Sequence, residues 1–71
     1  MSIQDNLNKK AGLTSTNNQQ QALNSLAGKS GLSIQDAANS YAATTKLTTQ
    51  EALNSKVGKS GLSIQDATAL L

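Results

Sequence analysis

Apolar residues recur along this chain with the spacing of a helix. In the segment 34–43 they stand zero, three, four, seven and eight positions from the first of them. Such a stripe is typical of one face of an amphipathic α-helix. The pattern predicts short helices with a narrow buried face. The residues that form the stripe in this segment are Ile34, Ala37, Ala38, Tyr41 and Ala42.

A helix-start signal precedes each apolar stripe. Ser, Thr or Asn is followed three residues later by Asp, Glu or Gln, which is the capping box or its Asp-bearing relative. The cap side chain accepts an orphan backbone N–H, and we expect the second side chain to reach back to the cap. The five pairs are Ser2–Asp5, Asn18–Gln21, Ser33–Asp36, Thr48–Glu51 and Ser63–Asp66. The predicted helices span 3–11, 19–27, 34–43, 49–57 and 64–71.

Glycines mark the predicted helix ends. Gly12, Gly28 and Gly58 fall where a left-handed C′ residue would close a helix. The segment 43–46, Ala-Thr-Thr-Lys, must do the same without glycine. The segment 13–17, Leu-Thr-Ser-Thr-Asn, breaks the period, so we expect an exposed loop or hinge there. A leucine precedes three of the caps and is placed to act as a hydrophobic staple, at Leu32, Leu47 and Leu62.

The helix signals belong to an internal repeat. Residues 20–37 return as 50–67 with three changes, and the capping boxes inside this copy recur every fifteen residues. Fixed-period similarity indicates units that bury their apolar faces by stacking on neighbours. We therefore predict an all-α fold of five short capped helices in a roughly 15-residue helix-turn repeat, a small bundle or short solenoid. The single domain spans 1–71, with an N-terminal helix and loop at 1–17 and four repeat units at 18–71.

The composition limits the size of the core. The 71 residues include one Tyr but no Phe, Trp or Cys, and their apolar set consists mainly of Ala and Leu. Small domains gain little free energy from such a core, and alanine buries little area. We therefore expect a partner surface to stabilise the fold. Leu70 and Leu71 either dock on another subunit or fold back on the fourth helix.

No segment indicates export or membrane insertion. The first residues lead directly into a cap, without a basic and apolar leader, and no apolar run is long enough to span a bilayer. We expect a protein that is neither secreted by the classical route nor embedded in a membrane.

The charged and polar residues point away from catalysis. All four acids stand at the third position after a cap, where the helix dipole favours them, and the chain has no His or Cys. Ser30 beside Lys29 and Ser60 beside Lys59 are the candidates for a Ser–Lys pair, but adjacent residues in a turn usually point apart. We predict no enzyme and no catalytic, cofactor-binding or metal-binding residue.

The segments 28–30 and 58–60, both Gly-Lys-Ser, suggest a phosphate-binding loop. That loop requires a further glycine five residues earlier and a strand leading into it. Leu23 and Leu53 occupy that position, and a predicted helix leads in. A helix C-cap followed by a cationic turn explains these segments better.

The lysines do not form the pattern of a nucleic-acid interface. Six lysines and four acids give a formal net charge of +2, and most lysines stand in last helical turns or connectors. Clustered basic residues interleaved with stacking aromatics, expected of a nucleic-acid reader, are missing from the sequence. Nucleic acid, membranes and small-molecule substrates are therefore not the expected partners.

One asparagine recurs inside the predicted helices although asparagine is a poor helix former. Two interpretations are open: its amide hydrogen-bonds the backbone of an adjoining unit or subunit and sets the stacking register, or it belongs to a solvated face. The positions are Asn8, Asn24, Asn39 and Asn54.

The repeat unit resembles short helical repeats in structural proteins of tailed bacteriophages. Residues 22–39, ALNSLAGKSGLSIQDAAN, carry the resemblance, which extends from 19 to 67 and more loosely over 2–12. It implies a non-enzymatic virion protein, associated with capsid or tail, made in the host cytoplasm. Its partners would be other virion proteins and copies of itself, docked through alanine- and leucine-lined helix faces. The alternative is a small cytoplasmic binding or regulatory module that contacts an acidic partner or nucleic acid through its lysines.

Overall fold

The computed structural model describes residues 2–14 and 16–71, and every regular element in them is an α-helix. The predicted all-α class is thus confirmed. The helices are α1 (Ile3–Ala11), α2 (Gln19–Ala27), α3 (Ile34–Ala42), α4 (Thr49–Val57) and α5 (Ile64–Ala69). All five begin where the capping signals place them. Two helices end earlier than predicted, α3 at Ala42 and α5 at Ala69.

Each helix starts at a side-chain cap, but only two helices complete the box. In all five the cap side chain accepts the backbone N–H three residues later. Within the described chain, the return bond to the cap N–H is made only by Gln21 (2.9 Å) and Glu51 (3.0 Å). The expectation that Asp also reaches back is wrong, because its side chain is one methylene shorter. The Asp charges still lie at the positive ends of helix dipoles.

The helix ends show why glycine recurs and what replaces it. Gly28 and Gly58 close α2 and α4 in the left-handed conformation, with φ of 70° and 73°. Ala43 closes α3 in the same conformation, with φ of 59°, and Lys46 has φ of 60° at the position equivalent to Gly61. The glycine-free segment 43–46 therefore copies the glycine connectors, at the conformational cost that left-handed backbone imposes on L-residues.

The five helices form a closed ring. Each helix packs against the next along the chain, and α5 packs against α1. No other helix pair of residues 2–14 and 16–71 is in contact. The Cα positions span 29 × 25 × 13 Å, which makes the ring a flat disc. Of the two predicted arrangements, the structure is the small bundle. An open solenoid would leave one face of α1 and one face of α5 without a neighbouring helix.

The core consists of the fourth and fifth residues of the helices. Three leucines and five alanines are at most 1% exposed. Alanine lets neighbouring helices approach closely, so the small residues close the ring instead of leaving gaps. The alanines and leucines of the faces expected to dock on other subunits thus contribute to the chain's own core. The core residues are Leu7, Ala22, Leu23, Ala37, Ala38, Ala52, Leu53 and Ala67.

The C-terminal leucines and the segment 13–17 differ in their contact with the core. Leu71 is half-buried against the core cluster, whereas Leu70 is 56% exposed. In the predicted loop at 13–17, Leu13 also packs against the core, and Asn17 donates to the carbonyl of Thr14. Ser15, the middle of that loop, lies outside the described residues, as does Met1 of the segment 1–17.

Candidate docking surfaces

Buried asparagines join neighbouring units of the ring. Asn54 is 5% exposed, its Nδ2 donates to the Leu62 carbonyl (3.0 Å), and its Oδ1 accepts the Leu62 N–H (3.0 Å). Asn24 and Asn39 make the same pair of bonds to Leu32 and Leu47. One amide therefore satisfies both backbone groups of the residue that precedes the next helix cap. Of the two interpretations of the recurrent asparagine, the hydrogen bond to the backbone of an adjoining unit is confirmed at these positions, and the solvated face is wrong.

A recurrent glutamine adds to each of these joints. Nε2 of Gln20, Gln35 and Gln50 donates to the same leucine carbonyl that the asparagine contacts, at 2.6–2.9 Å. Sequence reasoning missed these glutamines, although a signal was present. Glutamine occupies the second position of all five helices, at Gln4, Gln20, Gln35, Gln50 and Gln65.

The joint between α1 and α2 is incomplete, and here the caps Ser2 and Asn18 are sixteen residues apart instead of fifteen. Asn8 Nδ2 donates to the carbonyl of Asn17 (2.9 Å), nine residues on instead of eight. Its Oδ1 is buried and has no hydrogen-bond partner among residues 2–14 and 16–71. The one-residue change in spacing thus costs this asparagine half of its contact with the next unit.

The junction between α1 and α5 is built differently from the other four joints. We call it the seam. Asn6 Nδ2 donates to Thr68 Oγ1 (3.2 Å), and Thr68 Oγ1 donates to the carbonyl of Gln65 (3.0 Å). Asn6 is the fourth residue of its helix, where every other helix has Ala, and Thr68 the fifth, where the others have Leu or Ala. Moreover, α5 carries Ala69 at the position of the recurrent asparagine.

The seam is open to solvent along one side. A groove of about 530 Å³ lies between the two helices. It is bordered by the polar pair, by the cations Lys9 and Lys10, by Asp66 and by the half-buried Leu71. The seam therefore combines a small polar contact with an unfilled space.

Two further grooves repeat each other thirty residues apart. They lie beside α2 and α4, measure about 520 and 610 Å³, and share eight equivalent lining positions. Their chemistry is polar, with one lysine, two serines and the recurrent amides in each. At two positions they differ, since Asn18 and Gln21 in the first groove correspond to Thr48 and Glu51 in the second. We call this pair the twin grooves; their connector residues are Lys29, Ser30, Gly31, Lys59, Ser60 and Gly61.

An aromatic contact ties α3 to α4 near the disc surface. Lys56 Nζ lies 4.5 Å from the centre of the Tyr41 ring, within the range of a cation–π interaction. Tyr41 is half-buried, and this burial raises the pKa of its phenol. The contact holds a lysine in place at the surface.

The residues that suggested a phosphate-binding loop or a Ser–Lys pair lie at helix ends and in the connectors between helices. Gly28 and Gly58 are the C-caps of the helices that lead into them, which confirms the C-cap interpretation of the Gly-Lys-Ser segments. Ser30 and Ser60 lie in the exposed connectors. In the described ranges, no three His, Cys, Asp or Glu side chains gather as a metal-binding group. Nor does any helix there have the length and apolar character needed to cross a membrane.

No protein-family model matches the chain, and comparisons with curated proteins and with solved structures found no match either.

Proposed function

We propose that this chain is a non-enzymatic structural protein of a bacteriophage virion, associated with the capsid or tail and assembled with copies of itself and other virion proteins. One observation carries the proposal. The recurrent cap, asparagine and glutamine side chains serve the chain's own backbone, as helix caps or as the joints between units. A repeat whose caps and buried amides support folding suits a scaffold, and the resemblance of residues 22–39 to virion repeats favours a phage particle.

Docking in this proposal uses the outer surface of the disc. The alanine faces are buried, so a neighbour would meet the twin grooves and the exposed Leu70. The grooves present cations, hydroxyls and amides at equivalent places on α2 and α4. Paired polar grooves suit a protein partner that offers acceptor groups at two places, because two weak contacts at fixed spacing reinforce each other.

The test is to find the chain in particles. Cells that carry the gene are induced, particles are purified on a density gradient, and the chain is quantified by mass spectrometry and located by cryo-electron microscopy. We expect many copies at one fixed location on capsid or tail. A chain that is missing from the particles and instead binds DNA in a salt-sensitive way contradicts the proposal and supports the regulatory alternative.

A matched pair of variants tests the docking surface separately. Lys29→Glu with Lys59→Glu reverses the charge of both grooves at exposed positions, and we expect the copy number per particle to fall at least about threefold. Lys46→Glu makes the same change at an exposed connector residue outside the grooves and should leave it unchanged. Equal incorporation of both variants would exclude the grooves as the docking surface.

A further inference from the structure

We infer that copies of this chain stack head to tail, so that the N-terminal helix ends of one disc meet the C-terminal helix ends of the next. This inference rests on the self-assembly part of the proposed function and names the surfaces and the partner, a second copy. Such a contact uses two different faces of each copy. A stack of this kind therefore grows open-ended instead of closing as a dimer.

Consecutive helices of the ring run in the same direction. In each of the four joints along the chain, the glutamine at the second helix residue donates to the carbonyl that lies two residues before the next helix begins. At the other end of α3 and α4, Lys56 Nζ lies 4.5 Å from the centre of the Tyr41 ring, and each is the eighth residue of its helix. Neighbouring helix starts thus lie side by side, as do these two helix ends. The glutamines are Gln4, Gln20, Gln35 and Gln50.

The helices cross the disc from one face to the other. Four of them have nine residues, which at 1.5 Å per residue make a length of about 13 Å. The Cα positions extend 13 Å along the shortest axis of the disc. Because the helices point the same way, their N-terminal ends lie at one face and their C-terminal ends at the other.

The two faces carry opposite charge, and every charged side chain on them is exposed. We call the face of the N-terminal ends the acidic face, because all four acids stand there as third helix residues: Asp5, Asp36, Glu51 and Asp66. The opposite, basic face has lysines in last helical turns or directly after a C-cap glycine: Lys9, Lys10, Lys29, Lys56 and Lys59.

The helix dipoles oppose these charges only in part. Roughly half a charge per helix end places about +2.5 at the acidic face and about −2.5 at the basic face, less than the formal charge of the side chains on either. The acidic face therefore stays net negative and the basic face net positive. Moreover, three of the acids are aspartates that do not bond the N–H of their own cap. Their carboxylates are available to the lysines of another copy.

Each face also has an apolar centre inside the charged rim. The first and eighth positions of a helix lie on the same side as its buried fourth and fifth residues. An apolar centre within a polar rim is the usual anatomy of a protein interface. The half-buried apolar residues are Ile3, Ile34 and Ile64 at the acidic face and Leu26, Tyr41 and Leu71 at the basic face.

A second copy fits both faces in one orientation. The faces are opposite ends of the same helices, so the ring of acids and the ring of lysines have similar spacing. Pairing two equal faces would instead bring like charges together, which is unfavourable. An outline of 29 × 25 Å encloses about 570 Å², less than the roughly 800 Å² per partner of a stable interface. Each contact is therefore weak, and stacking requires the high local concentration of an assembling particle.

Sedimentation of the unmodified chain over about a hundredfold range of concentration tests the inference. We expect the average mass to rise with concentration past two chains. About 1 M salt should suppress the rise, because the Debye length then falls to about 3 Å. An average mass that stays at one chain, stops at two or does not respond to salt overturns the inference.

Two matched variants test which faces meet. The acidic-face variant is Asp5→Gln/Asp36→Gln/Asp66→Gln, and the basic-face variant is Lys9→Gln/Lys10→Gln/Lys56→Gln. Each variant alone keeps one charged face, so its association constant should fall at least about tenfold. In a mixture, the intact basic face of the first meets the intact acidic face of the second. We expect a one-to-one heterodimer that does not grow further, because both of its outer faces have lost charge.

A mixture that associates no more strongly than the separate variants overturns the stacking. The control is Lys46→Gln, which removes a lysine from a connector between the faces and should leave the association constant unchanged; a tenfold fall would overturn the assignment to the two faces. The glutamines of the acidic-face variant copy Gln21, which completes the capping box of α2. Circular dichroism must show that each variant keeps its helix content. If one does not, the concentration and salt series of the unmodified chain decides alone.

The two proposals fail separately, and none of the six substituted positions borders a twin groove. A chain that is present in virions only as single discs overturns the stacking but leaves the virion assignment intact. A chain that stacks in solution but does not occur in particles overturns the virion assignment alone.

Discussion

Asn54 and Leu62, eight residues apart, pair through both backbone groups of the leucine: the Asn54 amide donates to the Leu62 carbonyl and accepts the Leu62 N–H. One side-chain amide thus supplies a partner to both backbone groups of a single residue. Because the same pair recurs at Asn24 and Asn39, the joint is the unit of construction of this ring.

Removing one complete joint should lower the free energy of unfolding. Asn54→Ala leaves the Leu62 N–H without its acceptor, and an unsatisfied buried group costs about 1–3 kcal/mol. We expect the free energy of unfolding to fall by about 2–3 kcal/mol in urea titration followed by circular dichroism. The matched control is Asn8→Ala, which loses one bond and also removes the buried orphan Oδ1. Equal losses for the two variants would show that the second bond of the joint contributes nothing.

The double variant Asn39→Ala with Asn54→Ala tests register across α3, α4 and α5. Each asparagine bonds a different leucine, so the two losses should add to within about 0.5 kcal/mol if the joints act independently. Urea titration of the two single variants and the double variant measures this sum. A large excess in the double variant would mean that one joint depends on its neighbour. We also expect weaker assembly, measured by sedimentation.

The left-handed helix end without glycine predicts a stabilising substitution. Ala43→Gly relieves a conformation that costs an L-residue about 1–2 kcal/mol, less the added entropy of glycine in the unfolded chain, about 0.4–1 kcal/mol. We expect the melting temperature to rise by a few degrees. Gly58→Ala at the equivalent position should lower the melting temperature by a similar amount. A Cβ there meets no atom within 4 Å, so the cost comes from the left-handed backbone conformation alone. Thermal melts measure both variants, and we expect their changes in melting temperature to have opposite signs.

Core packing distinguishes Leu53 from Leu70. Leu53 is fully buried, whereas Leu70 is 56% exposed. Leu53→Ala should therefore destabilise the ring by about 2–5 kcal/mol, enough to unfold a domain of this size at room temperature. Leu70→Ala should change stability by less than about 0.5 kcal/mol. Urea titration of both variants measures the difference; a strongly destabilised Leu70→Ala variant would show that this side chain is buried in solution.

The complete capping box at α4 predicts a pH dependence. Hydrogen bonds from the backbone and side chain of Thr48 lower the pKa of Glu51 below its ordinary value of 4.5. A folded-state pKa below the unfolded one contributes stability above the unfolded pKa, and this contribution disappears as the pH falls through the folded one. Glu51→Gln should keep the bond that Gln21 makes at the equivalent place and flatten the loss of stability below about pH 4.5. Melting temperatures measured from pH 7 to pH 3 check this, with Gln21→Glu as the reverse control.

The local features of this fold could be predicted because their causes are local. A cap and its partner are three residues apart, so all five helix starts follow from the pairs such as Ser33–Asp36. The recurrent asparagine was visible for the same reason, since its spacing repeats with the unit. The recurrent glutamine was equally visible but went unrecognised, because glutamine at an exposed helix position needs no explanation.

The sequence by itself determined the helices, their starts, most of their ends and the repeat that relates them. Only the tertiary structure decided that the ring closes, that the alanine faces are therefore buried within the chain, and that Asn6 meets Thr68. The contact between these two residues spans 62 positions along the chain. It depends on the rotation from each unit to the next, summed over five units, and no local pattern of residues specifies that sum.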